Sequence, residues 1–225
     1  MWNLGGYRLL RIFCAVIAVS ATLVPAPAAA GSRLVLSEAS FGAGEWTYIL
    51  QGSGPTAVID GRRLDVTLPA TSMQTAQPGI ISGGAVSRCQ VRGDFDMQVS
   101  FRLGEWPSQN GVQVVLGDGN LQDIVARSSE PSFGQETYLA YVPPNGASIP
   151  TSDLSGALRL SRQGGTVTGF YRSEDGWTKL LSAPAQTGDA YIVLYAWSDD
   201  IRFGHKGVSV AFSHFRLTQG ELICA

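Results

Sequence analysis

The sequence predicts an all-β domain built as a two-sheet antiparallel β-sandwich or jelly roll. After the first thirty residues, glycine and proline recur every eight to fifteen residues, and no stretch keeps a helical apolar period for three turns. Residues 95–103 alternate strictly between apolar and polar side chains, which is typical of a strand packed on one face. About twelve such strands without helices favour two packed antiparallel sheets.

Residues 1–30 have the features of a signal peptide. Arg8 and Arg11 form a positive region, residues 12–24 are apolar, and residues 26–30 offer a small-residue cleavage site, most simply after Ala30. Thirteen residues at about 1.5 Å each are too short for the roughly 30 Å membrane core, so cleavage is favoured over a retained anchor. We therefore expect residues 31–225 to form a single domain, exported to the periplasm or the extracellular space, with no second membrane segment.

Charge and cysteine content narrow the function classes. Removal of Arg8 and Arg11 would lower the 16 basic residues to 14 against 18 acidic ones, a net charge of −4. The chain is mildly acidic and its sequence contains no basic stripe, which argues against nucleic-acid binding. Cys89 and Cys224 remain, and an exported compartment permits a disulfide, worth on the order of 4 kcal/mol in the chain-entropy model. Two unpaired thiols are the alternative, because spacing alone does not establish proximity.

The N-terminal half predicts short strands separated by turns. Residues 47–50 form the first, and residues 58–68 form a hairpin with its turn near Asp60-Gly61. Residues 70–79 are polar and predict a surface loop, and residues 79–86 predict a strand weakened by Gly83-Gly84. Beyond the alternating strand, the sequence predicts strands in three further stretches, residues 112–116, 121–127 and 137–142.

The C-terminal half begins with the longest predicted loop, residues 143–153. Residues 158–172 form a hairpin turning at Gly164-Gly165, because a primed turn needs positive φ angles that glycine adopts without steric cost. A short strand at residues 179–182 precedes residues 191–197, which are apolar on both faces and predict a strand inside the sheet. In the last strand, residues 208–217, the apolar parity shifts at Ser213-His214 and predicts a β-bulge.

This pattern resembles the concanavalin A-like lectin and glucanase superfamily over residues 38–217. The residues that carry the resemblance are core and turn positions: Glu38, Phe41, Trp46, Asp60-Gly61, Leu64, residues 93–101, Leu158-Arg159-Leu160, Arg162, Gly164, Tyr171, Gly176-Trp177 and the alternating residues 208–217. The resemblance implies a concanavalin A-like fold. Glucanases of the superfamily carry a Glu-x-Asp-x-Glu or Glu-x-Asp-x-x-Glu strand, whose carboxylates cleave the glycosidic bond. No such triplet occurs here, Asp94 and Asp96 being the nearest pair, so no catalytic residue is carried over.

Aromatic side chains are the first candidates for a sugar-binding site, because the C–H groups of a pyranose pack on aromatic faces. The candidates are Trp106, Tyr138, Tyr141, Trp177 and Trp197. Such rings also fill hydrophobic cores, and a core position is the favoured interpretation for Trp177 and Trp197. Trp106 and Tyr141 lie beside Pro/Gly-rich loops, and for them a core position and a binding role are equally favoured. The hairpin that ends at Trp177 contains three arginines, but its residues coincide with the fold signature, so we expect it to build the sheet.

Polar candidates are fewer. Gln113 and Arg127 lie on central strands, where they would fix sugar hydroxyls if they face solvent, the alternative being an ordinary solvated sheet face. Asp199 and Asp200 are candidate calcium ligands, although calcium takes six to eight oxygens; no other cofactor is expected. The histidines and cysteines match no compact zinc spacing, and neither Gly-x-Ser-x-Gly nor Gly-x-Gly-x-x-Gly occurs.

Our sequence-based hypothesis is a secreted, non-catalytic, carbohydrate-binding domain with a glycan partner. The step from fold to sugar is an analogy. One alternative is an exported structural or protein-interaction β-sandwich without a small ligand. A third is a glycoside hydrolase whose carboxylates come together from separate strands. The sequence does not specify the oligomeric state.

Overall fold

The computed structural model describes Phe41 and residues 45–75, 79–119, 122–130, 135–199 and 201–224. The predicted signal peptide, residues 1–30, lies outside this part of the chain. Within it, no helix has the length and hydrophobicity needed to cross a membrane. The strands in chain order are β1 (Trp46–Gln51), β2 (Thr56–Asp60), β3 (Arg63–Leu68), β4 (Ile80–Leu103), β5 (Gln113–Asp118), β6 (Ile124–Ser128), β7 (Thr137–Val142), β8 (Asn145–Pro150), β9 (Ser155–Gln163), β10 (Thr166–Ser173), β11 (Gly176–Pro184), β12 (Ala190–Asp199) and β13 (Val208–Ile223).

Strand β4 is shared by the two layers of the fold. Its first half pairs with β1 and β12, and its second half pairs with β9 and β13, always antiparallel. The front sheet therefore has the order β1-β4-β12-β5-β6-β7-β8, and the back sheet has the order β2-β3-β13-β4-β9-β10-β11. This all-β, two-sheet antiparallel arrangement confirms the predicted sandwich or jelly roll.

The hydrophobic core lies between the two sheets because alternate residues of each strand point inward. In the second half of β4, Phe95, Met97, Val99, Phe101 and Leu103 are all at most 5% exposed, as their alternation predicts. Strands of the front sheet contribute inward residues to the same cluster, Val114 and Leu194 among them. Strand β12 lies between β4 and β5, which confirms that its two apolar faces belong to a central strand.

Both predicted backbone irregularities of the C-terminal half are present. The hairpin of β9 and β10 turns at Gly164 and Gly165, whose φ angles are 55° and 78°. The register of β13 with β4 shifts between Ser213 and Arg216, where His214 has a φ of 52°, so the predicted bulge is confirmed. The shift returns Phe215 to the core side of the sheet.

The prediction of a long loop at residues 143–153 is wrong. Strand β8 occupies most of that stretch and pairs with β7 at the edge of the front sheet. Its sequence, Asn-Gly-Ala-Ser-Ile-Pro, lacks the apolar alternation by which strands are recognised. Backbone pairing with β7 overrides the weak local preference.

A disulfide joins Cys89, in the middle of β4, to Cys224, directly after β13. The two cysteines are 135 residues apart in the sequence. They meet because the end of β13 pairs with the middle of β4, where Ile223 lies opposite Gln90. The predicted pairing is therefore confirmed.

Candidate functional site

The face of the front sheet that points away from the back sheet, here called the outer face, carries its own apolar cluster. In β5, Val114 and Leu116 belong to the main core, so Val115 between them points to the outer face. Val115 packs with a group of side chains from neighbouring strands. That group consists of Ile124, Ala126, Leu139, Tyr141, Tyr195 and Trp197.

A line of polar side chains crosses the outer face at one end of this cluster. Strand register places five residues directly opposite one another in successive strands, Ser82, Trp197, Gln113, Ser128 and Thr137, which we call the polar row. Trp197 Nε1, Ser128 Oγ and Thr137 Oγ1 are buried and have no hydrogen-bond partner. Because buried polar groups are normally paired, three such atoms in one row provide unused hydrogen-bonding capacity.

Arg202 links two carboxylates beside the polar row. Its Nη1 donates to Glu130 Oε1 at 2.9 Å and its Nε donates to Asp199 Oδ2 at 2.7 Å. Gln113 Nε2 donates to the other oxygen of Glu130 at 3.1 Å, and the guanidinium lies 5.2 Å from the centre of the Trp197 ring. Burial alone would raise the pKa of Asp199, but the hydrogen bonds and charge of Arg202 outweigh it and lower that pKa.

A pocket of about 650 Å³ lies beside Thr137, at one end of the polar row. Pro150, which lines it, is the strand neighbour of Thr137, so the pocket begins where the row ends. Its walls include the Trp106 ring and the Glu136 carboxylate, and Trp106 Nε1 donates to Glu136 Oε2 at 3.0 Å. The pocket thus combines an aromatic ring with a carboxylate that is already hydrogen-bonded.

The structure places Arg127 and Tyr138 in the interior, so the expectation of a solvent-facing Arg127 is wrong. The two residues lie opposite each other on β6 and β7, on the inward side of both strands, and both are fully buried. Arg127 Nε donates to the carbonyl of Asp153 at 3.0 Å, and its Nη2 binds Glu136. The Tyr138 hydroxyl donates to Asp153 Oδ2 at 2.9 Å, and burial, this bond and the Asp153 charge raise the pKa of Tyr138.

The remaining predicted residues are distributed as follows. Tyr141 and Trp197 are half-buried on the outer face, and Trp177 lies on the opposite side of the molecule in the back sheet. Asp199 binds Arg202, and Asp200 lies outside the described residues. Across the described ranges, no group of three or more His, Cys, Asp or Glu side chains is placed to hold a metal ion. Calcium binding by Asp199 and Asp200 stays a prediction.

Sequence reasoning missed Glu130, Arg202 and Tyr195 as members of this site. Glu130 and Arg202 are 72 residues apart, and their carboxylate and guanidinium meet only because β5 lies between β6 and β12. No motif or spacing links them. The sequence places Tyr195 on a central strand, but only the strand order shows that Tyr195 lies in register with Val115 on the outer face.

No protein-family model matches the chain, and no curated protein matches it by sequence. Solved structures of similar fold include three whose names indicate carbohydrate binding or cleavage. They are a β-glucanase of Bacillus licheniformis (TM-score 0.53, 10% identity, 81% of this chain and 96% of that one), a glycosyl hydrolase family protein from Mycobacterium fortuitum (0.55, 10%, 79% and 93%) and the carbohydrate recognition domain of Emp47p (0.52, 10%, 79% and 89%). These are concanavalin A-like jelly rolls, so the predicted concanavalin A-like fold is confirmed. At 10% identity, the likeness establishes the fold and no activity.

Proposed function

We propose that this protein is a secreted, non-catalytic, carbohydrate-binding domain whose ligand lies along the polar row. The observation that carries the proposal is the row itself, which sets unpartnered buried polar atoms beside the half-buried rings of Tyr195 and Trp197. A sugar presents hydroxyls and C–H groups on the same ring. The C–H groups would pack on the aromatic faces, and the hydroxyls would bind the polar atoms once the side chains that cover those atoms in the unbound protein move aside.

The length of the row favours an extended glycan. Five strands at a spacing of about 4.8 Å place Ser82 and Thr137 about 19 Å apart, and the pocket beside Trp106 continues the same line. Gln113, at the centre of the row, and Glu130, which accepts a hydrogen bond from it, would orient a central sugar. Arg127 and Tyr138 are buried and would not contact the glycan. Arg127 would support binding indirectly, because it holds Glu136 at the pocket wall.

The carboxylates near the row support binding without catalysis. Glycoside cleavage needs one carboxyl group that stays protonated as the general acid. Asp199 accepts hydrogen bonds from Arg202, which lower its pKa and favour its ionised form, so it is a poor general acid. On the outer face, the three outward positions of β5 are Gln113, Val115 and Gly117, none of which is acidic.

Two further observations support the assignment to a secreted lectin-like protein. The Emp47p domain of similar fold is a carbohydrate recognition domain, which supports the ligand class by analogy. The Cys89–Cys224 disulfide is compatible with an oxidising extracellular or periplasmic compartment, in line with the predicted signal peptide.

The proposal is tested with a glycan array and with pull-down on insoluble polysaccharides, using the purified protein. Trp197→Ala is expected to weaken binding to the retained glycan by about tenfold, since an aromatic platform contributes on the order of 1–2 kcal/mol. For a neutral glycan, Trp177→Ala, which removes a tryptophan from the opposite face, is the matched control and is expected to change binding less than about twofold. Retention on no glycan, or equal losses in both variants, would refute the proposed site.

Catalysis is tested separately by incubating the protein with labelled oligosaccharides of the retained glycan. We expect no shorter products at any time point. Appearance of new reducing ends that depend on Glu130 or Asp199 would show a hydrolase and contradict the non-catalytic assignment.

A further inference from the structure

The side of the back sheet that points away from the core is basic, although the chain as a whole has a net charge of −2. Four exposed cationic side chains lie on it, and we call them the basic face: Arg102 in β4, Arg172 in β10, Lys179 in β11 and Arg216 in β13. Strand register aligns Lys179 and Arg216 in one line across five strands, through Phe170, Arg159 and Gln98. The line is about 19 Å long at a strand spacing of about 4.8 Å.

Two of the acidic residues on this side of the sheet are neutralised by arginines, whereas the exposed Asp60 and Asp94 form no ion pair within the described residues. Asp65 binds Arg63 at 2.7 Å, and Asp96 binds Arg159 through a hydrogen bond of 2.8 Å. In the part of the chain that the structure describes, none of the four residues of the basic face forms an ion pair. This side of the sheet therefore keeps a net positive charge, because Arg63, Arg102, Arg159, Arg172, Lys179 and Arg216 outnumber the carboxylates of Asp60, Asp65, Asp94 and Asp96.

The rings of Phe170 and Trp177 lie between the cations of the basic face. The Arg159 guanidinium lies 4.9 Å from the centre of the Phe170 ring and 5.9 Å from that of Trp177. Trp177 is the strand neighbour of Arg172, and Phe170 is the strand neighbour of Lys179. The arrangement alternates charge with flat apolar surface, which suits a polymer that carries both anionic groups and sugar rings.

The basic face is poorly suited to a lipid bilayer, which would require apolar side chains that insert between the lipids. Among the described residues, only one of the exposed large apolar side chains belongs to this side of the sheet, Val58 on the edge strand β2. The others lie elsewhere in the chain: Tyr48, Leu50, Met73, Leu154 and Ile201.

We propose that the basic face binds an anionic polysaccharide, one with sulfate or uronic-acid carboxylate groups. The four cations lie in an extended, flat array and do not converge on one point, so they match a linear polyanion better than a single phosphate group. The guanidinium groups of Arg102, Arg172 and Arg216 can each hold a sulfate or carboxylate through two hydrogen bonds. This site lies on the opposite side of the sandwich from the polar row, so it is independent of the function proposed above.

The test measures heparin binding by calorimetric titration of the purified protein at about 50 mM and about 300 mM NaCl. The double variant Arg172→Glu/Lys179→Glu is compared with Arg88→Glu/Lys206→Glu. The second pair makes the same change in net charge at exposed positions elsewhere. We expect the Kd for heparin to rise about tenfold or more in the first variant and less than about twofold in the second, with salt weakening wild-type binding.

Three results would overturn the proposal: no heparin binding at the lower salt concentration, equal losses in both double variants, or tighter binding to phosphatidylglycerol vesicles or duplex DNA than to heparin. Thermal unfolding of each variant establishes that a loss of binding does not reflect a loss of fold. Trp197→Ala separates this site from the polar row, since we expect it to leave heparin binding unchanged.

Discussion

The carboxyl groups of Asp118 and Asp123 interact in the interior, where β5 ends and β6 begins. Asp118 is 2% exposed and Asp123 is 1% exposed, and the Asp118 backbone N–H donates to the Asp123 carbonyl at 3.0 Å. Burial raises the pKa of Asp123 to about 7, the Asp118 charge and hydrogen bond add to the effect, and Arg162 opposes it. Near neutral pH the folded protein therefore keeps a proton that the unfolded chain releases.

We predict that the free energy of unfolding falls as the pH rises from about 4 to about 7. Because the folded pKa of Asp123 is raised, its contribution to stability is complete below its unfolded pKa and is lost as the pH passes through about 7. Urea unfolding at intervals across this range measures the slope. Asp123→Asn keeps a neutral side chain and is expected to reduce the slope, with stability at pH 8 equal to or above that of the wild type. Identical slopes in the two proteins would contradict the assignment.

Loss of the disulfide is predicted to lower the free energy of unfolding by about 5 kcal/mol in the chain-entropy model. The bond closes a loop across 135 residues and restricts the unfolded chain. The measurement compares urea unfolding of the wild type, with and without reductant, with that of Cys89→Ala/Cys224→Ala. Reductant should weaken the wild type to about the level of the variant and leave the variant unaffected. A wild type that is insensitive to complete reduction would contradict the prediction.

Replacement of Arg127 is predicted to destabilise the fold beside the pocket. Arg127→Met leaves the Glu136 carboxylate without its buried cation and should cost about 3 kcal/mol. Adding Glu136→Gln removes the unpaired charge, so the double variant should lose less stability than the sum of the two single variants. Unfolding energies of the four proteins in a double-mutant cycle measure the coupling. Strict additivity would show that the two side chains do not interact.

A methyl group at position 84 is predicted to destabilise the front sheet by about 1–3 kcal/mol. A Cβ added to Gly84 would lie 2.2 Å from the carbonyl oxygen of Leu194 and 2.4 Å from Cβ of Tyr195, so β4 or β12 would have to move. Gly188→Ala, where a Cβ meets nothing within 4 Å, is the matched control. Equal unfolding energies for the two alanine variants would disprove the close approach of the strands.

Much of the fold follows from the sequence because alternation and turn chemistry are local. The strand at residues 95–103, the Gly164-Gly165 turn and the bulge near His214 all leave such local signals. Residues 143–153 do not, since small and polar side chains at a sheet edge show no alternation. The sequence also does not indicate that Arg127 points inward. Ile124, Val125 and Ala126 before it are all apolar, so β6 shows no alternation that would identify its inward face.

The two proposed binding surfaces could not be predicted because each is assembled by strand order. The polar row joins residues from β4, β12, β5, β6 and β7, which are adjacent in the sheet but not in the sequence. The basic face joins Arg102, Arg172, Lys179 and Arg216, which are too widely separated in the chain to form a visible stripe. Sequence periodicity tells which residues share a face of one strand, whereas pairing between distant strands determines which residues meet.

Because β4 is shared by both sheets, we expect the two sheets to unfold together. Its 24 residues donate and accept hydrogen bonds in both layers, and the disulfide fixes its middle to the end of β13. Separation of either layer would therefore break the ladder of the other. In hydrogen-exchange measurements, we expect the slowest-exchanging amide protons of both sheets to report the same free energy of opening, equal to that of global unfolding. The sandwich would then behave as a single cooperative unit.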